Sequence, residues 1–222
     1  MHTGHRQRMR ERVKEGGLEK LSDHEFLELL LYYVQPRVNT NEPAHRLMDT
    51  FGSISSVFES SEEALLEVAG IGPISASFLT LIPEICRRYY AEKYHPADAP
   101  SSYPQIIDYA QKMFVGYNKE VVGILMLDGS NKLIAKKILD EGSYHNVRVD
   151  NQQLLSEILQ SKADKVILVH NHPSNNPTPS AADFSMTAQI GSVLKFIGVT
   201  FFDHLILCPN GKVYSFSAEN CL

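Results

Sequence analysis

The sequence is poor in cysteine, has no positive excess and has no long apolar run, and each shortage excludes something. Cys86, Cys208 and Cys221 are the only cysteines in 222 residues. They lie far apart, form no CxxC and suggest no disulfide framework, so a reducing cytoplasm is the expected compartment. The net charge is −5, so no global positive field recruits nucleic acid and any such binding must rest on a local patch. Apolar clusters such as Phe26–Leu31 are short and interrupted by charge. A membrane-spanning helix needs ~20 largely apolar residues, so no membrane association is expected. The stretch from Met1 to Arg6 lacks the apolar core of a signal peptide. HExxH, the HxE-plus-PCxxC pattern of zinc deaminases and the P-loop are also missing, so no nucleotide cofactor is expected.

What is present is ordinary for a soluble globular chain: 43% hydrophobic and 21% charged residues,. Residues 94–104 hold three prolines, Pro96, Pro100 and Pro104. Proline removes a backbone donor and restricts its predecessor, so this stretch reads as a linker between two domains. Residues 1–93 before it show helical spacing. Ser22-Asp23-His24-Glu25 is a capping-box pattern, followed by an apolar run to Val34 and a stop at Pro36. Apolar spacing returns in Ala44–Phe51, Ile54–Phe58, Ala64–Val68 and Ile74–Tyr90. An all-helical domain is expected there.

In residues 105–222 the period changes. Val121–Leu127 is an almost unbroken apolar run, as expected for a buried strand. Asp128-Gly129-Ser130-Asn131 is turn chemistry leading into a second strand, Leu133–Leu139. A helix over Leu154–Leu159, a strand at Val166–Val169, a helix over Ser180–Ile197, a strand at Val199–Leu207 and a final strand at Val213–Phe216 follow. The order predicts a mixed sheet covered by helices, and with the first domain an α+β chain.

The chemistry concentrates after the third strand. His170 and His172 are two residues apart, so in extended chain they face one side. Pro173, Pro177 and Pro179 stiffen the following loop and bring the next helix back, with Asp183 in its first turn. Two imidazoles and a carboxylate, with a fourth position open, make the donor set of a catalytic zinc site. Ser180 and Asp183 also read as a plain helix cap. That reading would win if the two histidines did not share the same loop.

The pattern His170-x-His172-Pro173, six residues, Ser180-x-x-Asp183 resembles the signature of JAMM (MPN+) zinc metalloproteases. Nearly the whole chain resembles the RadC family, known by name for DNA repair and carrying the same domain. Asn171, Ser174 and the Asp203-His204 pair fit that family's form. Asn175-Asn176 stand where the family usually has Gly-Asp, and Asp150–Gln153 where it has His-Pro-Arg-Glu. The resemblance implies one Zn2+ per chain on His170, His172 and Asp183. It implies Ser180 as a donor to a developing oxyanion, and a glutamate at an early strand as general base. Glu120, directly before Val121, is the choice by position, with Glu141 as competitor. The implied reaction is hydrolysis of an amide or isopeptide bond in a peptide substrate.

Leu66–Ala76 reads as helix, glycine turn, helix and resembles a helix-hairpin-helix motif. Gly70 and Gly72 would let backbone N–H groups approach a DNA phosphate; a tight connection used only for packing is the competing reading. Residues 1–95 hold 11 Lys and Arg against 14 Asp and Glu. Positive charge for non-specific DNA contact would therefore come from Arg6, Arg8, Arg10 and Arg12, on a loose arm or at the start of a solvated helix. A DNA-associated accessory role is the alternative function.

Overall fold

The computed structural model describes residues 3–93, 99–141 and 149–222. The chain divides into two compact units, Met1–Ile85 and Cys86–Leu222. Residues 94–98 of the expected linker lie outside the described residues.

The described residues of the first unit form helices and no strand. These are α1 (Thr3–Gly16), a 3-10 turn (Leu18–Lys20), α2 (Asp23–Val34), α3 (Asn41–Phe51), α4 (Ile54–Glu59), α5 (Glu62–Leu66) and the first part of α6 (Pro73–Lys93), whose residues from Cys86 on belong to the second unit. The Ser22–Glu25 capping box is in place at the start of α2. Leu27, Leu31, Ala44, Leu47, Leu65 and Leu79 are fully buried in one core.

The alternating arginines sit on α1 rather than on a loose arm. Arg6 donates to the carbonyls of Pro36, Gln35 and Val38 and lies over the Tyr32 ring. It thus satisfies carbonyls where α2 ends. Arg12 pairs with Glu25 at 2.6 Å and donates to the Lys20 carbonyl.

After α6, the second unit contains a helix that the proline-rich stretch concealed. Ser102 caps α7 (Tyr103–Met113) in a capping box with Gln105, and Pro104 lies in its first turn. A proline there loses no helical hydrogen bond. Pro100 accepts a hydrogen bond from Leu133 N–H, and Ala99 and Tyr103 pack on the core below. The end of the expected linker, residues 99–104, is therefore built into this unit.

Among the described residues five strands follow, β1 (Val121–Leu127), β2 (Leu133–Glu141), β3 (Lys165–Asn171), β4 (Thr200–Leu207) and β5 (Val213–Ser215), with α8 (Asn151–Ser161) and α9 (Ala181–Phe196) between them. The sheet order is β2-β1-β3-β4-β5. Among the described residues only the β3–β4 pair is parallel, which α9 permits by crossing over,.

Helices cover both faces. Val121, Leu125, Leu127, Ile167 and Val169 point toward α7. Val122, Ile124, Met126, Val166 and Leu168 point toward α8 and α9. This two-sided burial explains why β1 is apolar throughout rather than alternating. It also sets the site. Counting on by two from Leu168, His170 and His172 belong to the α9 face, and Asn171 to the α7 face. Among the described residues no helix is long and apolar enough to cross a membrane.

Candidate metal centre

The site lies where β3 ends, β1 begins and α9 starts. His170 is the sixth residue of β3 and is 2% exposed. His172 follows the strand, its N–H donating to the Leu207 carbonyl of β4. Asp183 is the third residue of α9. The Nε2 atoms of the two histidines are 2.9 Å apart. Asp183 Oδ1 is 3.2 Å from His170 Nε2, and Oδ2 is 3.5 Å from His172 Nε2. These three residues form a buried group whose ligand atoms all lie within 4.8 Å of one another.

The capping role of Ser180 and Asp183 is compatible with their placement at the site. Ser180 Oγ accepts the Asp183 N–H at 3.2 Å, and Asp183 Oδ2 accepts the Ser180 N–H at 2.6 Å. This reciprocal box fixes the carboxylate rotamer. It leaves Oδ1 aimed at His170.

Hydrogen bonds behind the histidines settle which nitrogen carries the proton. His172 Nδ1 faces the Asn176 carbonyl at 2.8 Å. A carbonyl only accepts, so Nδ1 holds the hydrogen and a neutral His172 has a bare Nε2. The His170 chain is longer. Thr187 donates its hydroxyl proton to the Asp183 carbonyl at 2.6 Å, so its oxygen accepts from His204 Nδ1 at 2.7 Å. His204 Nε2 is then bare and accepts from His170 Nδ1 at 2.8 Å. His170 Nε2 is left bare as well. Two nitrogen lone pairs and a carboxylate thus face one another with no donor among them. Such a cluster calls for a cation or a shared proton.

Electrostatics agree with that reading. Burial disfavours the charged form of His172. The Asp183 and Asn176 hydrogen bonds and the charges of Asp183 and Glu120 outweigh it and raise the pKa above its usual 6.5. Burial likewise opposes the Asp183 carboxylate, but the hydrogen bonds that His170 and His172 donate once their Nε2 atoms take up a proton hold it well below the usual carboxylate range. His204 is pushed down to about 2, chiefly by burial and then by the charge of a protonated His170 beside it. It stays neutral and serves as a fixed hydrogen-bond acceptor.

A cavity of about 360 Å³ opens over the cluster, lined by Glu120, Ser174, Asn176, Thr178, Ser180 and Met186 besides His170, His172 and Asp183. Glu120 therefore shares the cavity with the cluster, on the same face of β1 as Val122. Glu141 pairs with Val121 at the neighbouring end of β2; its side chain lies outside the described ones. Ser180 reaches the same cavity while its oxygen caps α9.

The chain's Asn175, where glycine was expected, adopts φ 60°. Asparagine is among the few non-glycine residues that visit this region readily. Asn175 Oδ1 also accepts the Asn210 N–H at 3.0 Å, tying the loop to the β4–β5 turn. The loop thus keeps a left-handed residue without glycine.

Sequence reasoning saw no function for Thr187 and gave none to His204 or Asn171 beyond family likeness. Asp203 is fully buried. Its Oδ1 accepts the N–H groups of His204 and Ser217, and its Oδ2 the hydroxyls of Ser215 and Tyr103. It locks β4 beside His204, whose ring stacks on Phe216 at 4.5 Å. Thr187 carried one legible signal, its place four residues after Asp183 on the same helix face.

The glycine turn at residues 67–72 has a packing reason. Gly70 has φ 94°, and a Cβ there would lie 2.6 Å from Pro43 Cγ. Its carbonyl accepts from Gln35. Gly72 has open space where a Cβ would stand.

Residues 101–221 match the family of the RadC-like JAB domain, and residues 2–77 match a UPF0758 N-terminal domain.

Proposed function

The chain belongs to the RadC-like JAB family, and from that premise and the His170–His172–Asp183 geometry we propose that it is a zinc-dependent hydrolase of amide or isopeptide bonds. The single observation that carries the reading is the set of three acceptors, two bare Nε2 atoms and the Asp183 carboxylate, converging in a cavity that a second carboxylate, Glu120, also lines. Two imidazole nitrogens and one carboxylate oxygen suit a borderline ion such as Zn2+. The ion, when bound, would polarise a carbonyl and bring the pKa of a water to ~7.

The chain's own groups supply the rest. Glu120 is suited to take a proton from the attacking water and return it to the leaving amine. Ser180 keeps its hydroxyl proton while its oxygen caps α9, so it can donate to an oxyanion in the cavity. Asn176, Thr178 and Ser174 offer polar contacts for an extended backbone. The wide spacing of Cys86, Cys208 and Cys221 suits a reducing cytoplasm.

The test is a cleavage screen of peptide and isopeptide libraries with the Zn2+-loaded chain and its Glu120→Gln variant. Turnover lost by ~10²-fold or more in the variant supports the reading. Equal turnover in the two chains, or loss in Glu141→Gln instead, contradicts the role given to Glu120.

A second reading gives the helical unit a nucleic-acid role. Arg8 and Arg10 are exposed on α1, and the Arg10 guanidinium lies 5.9 Å above the ring of exposed Tyr33. A cation beside an aromatic suits contact with phosphate and base. Binding of this kind weakens steeply with salt, so a titration at two salt concentrations with Arg8→Ala and Arg10→Ala tests it.

A further inference from the structure

We propose that Asn171 is the positioning residue for Glu120. The β1–β3 ladder ends at Val122 paired with His170. One step further, the side chain of Asn171 takes over the role of the ladder. Its Oδ1 accepts the Val121 N–H at 2.7 Å. Its Nδ2 donates to the Lys119 carbonyl at 2.9 Å and to the Tyr117 carbonyl at 3.3 Å. The two closer bonds, to Lys119 and Val121, bracket Glu120 on either side.

The consequence for Glu120 follows from strand alternation. Val121 points into the core against α7, so Glu120 and Val122 point to the opposite face. That face holds His170 and His172. Asn171 is 4% exposed, and its three hydrogen bonds use most of what one amide can make. The residue between the two histidines thus faces away from the cavity and still controls it through backbone. Without the clamp, residues 117–120 would leave β1 with no partner for the Val121 N–H, and the Glu120 carboxylate would lose its fixed direction. The catalytic part of this inference rests on the role proposed for Glu120; the positioning part stands on the hydrogen bonds alone.

The experiment uses the full chain with Asn171→Ala and the closer-sized Asn171→Asp, alone and combined with Glu120→Gln. Asn171→Asp keeps an acceptor for Val121 but faces oxygen toward two carbonyls. Amide hydrogen exchange is measured on the metal-free chain. Exchange at Val121 and the residues just before it should rise at least ~10-fold. Ile124–Leu127 should keep their protection. The visible bands of the Co2+-loaded chain give the second readout, because groups around an ion tune it. Asn171→Ala should bind Co2+ with affinity within ~3-fold of the native chain, reproduce the band change of Glu120→Gln, and add nothing to it in the double variant. Unchanged exchange at Val121, exchange raised evenly along β1 and β3, or a band change just as large in the Glu120→Gln background would each overturn the proposal. A native chain that takes up no Co2+ would refute the metal reading of the site, and the exchange pattern would still decide whether Asn171 holds Glu120.

Discussion

The Thr187 hydroxyl stands 2.7 Å from His204 Nδ1 and can only accept there, because its one proton goes to the Asp183 carbonyl. A residue outside the ligand set therefore decides that His170 presents a bare Nε2. Thr187→Val keeps the shape but removes the acceptor, leaving a buried His204 N–H with no partner. Metal affinity should fall by ~10–100-fold, the usual scale for loss of an outer hydrogen bond to a ligand. A competition titration against a coloured chelator measures it. Unchanged affinity would break the chain from Thr187 to His170.

The pH dependence has opposite signs with and without metal. His172 has a folded pKa above its unfolded value of about 6.5,. Its proton therefore stabilises the metal-free chain fully below pH 6.5, and that contribution is lost as pH rises through the folded pKa. Bound metal must displace the same proton, so affinity rises over the same window. The Asp183 carboxylate, with its depressed pKa, contributes stability above its unfolded value and loses it only in acid. Melting temperatures of chelator-treated and Zn2+-loaded chain should diverge as pH rises from about 6 to about 8. A constant gap would contradict the assignment of the raised pKa to a ligand.

Ser180→Ala separates capping from chemistry. The cap bond to Asp183 N–H is lost, at a cost of ~1 kcal/mol in thermal or urea unfolding. Zn2+ should stay bound, since Asp183 retains its bond from the Ser180 backbone N–H. Loss of metal would mean that the serine oxygen, rather than the backbone, holds the carboxylate in place.

Asn175 and Gly70 both occupy left-handed backbone, at φ 60° and φ 94°. Asn175→Ala should cost ~1–2 kcal/mol from strain alone. Asn175→Gly should relieve the strain while losing the bond to Asn210. Gly70→Ala combines strain with the approach to Pro43 and should destabilise the helical unit clearly. Gly72→Ala should be tolerated. Unfolding curves of the four variants check the order. A harmless Gly70→Ala would return the turn to a ligand-binding explanation.

Much of this is legible in the sequence. Val121–Leu127 read as a buried strand because both its faces are covered, and the two-residue spacing of His170 and His172 placed both on one face. Ser180 and Asp183 were each legible twice, both as a cap and, respectively, as an oxyanion donor and a metal ligand, and the structure uses them for a cap directed at the histidines. The start of α7 was hidden because Pro104 reads as a breaker unless Ser102 is recognised as the cap before it. Glu120 and Glu141 were hard to separate for a register reason: β1 and β2 are antiparallel, so the start of one lies beside the end of the other. The relay through His204 and Thr187 was invisible, since two hydrogen bonds between residues 17 and 34 positions apart leave no local pattern.

Metal content tests the central claim most directly. The native chain, reconstituted with Zn2+ and desalted, should carry about one ion per chain by elemental analysis. His170→Ala, His172→Ala and Asp183→Ala should each lose most of it, while Glu120→Gln should keep it. Equal metal in the native chain and in all three ligand variants would contradict the site, and loss of metal in Glu120→Gln would make that residue a ligand rather than a base.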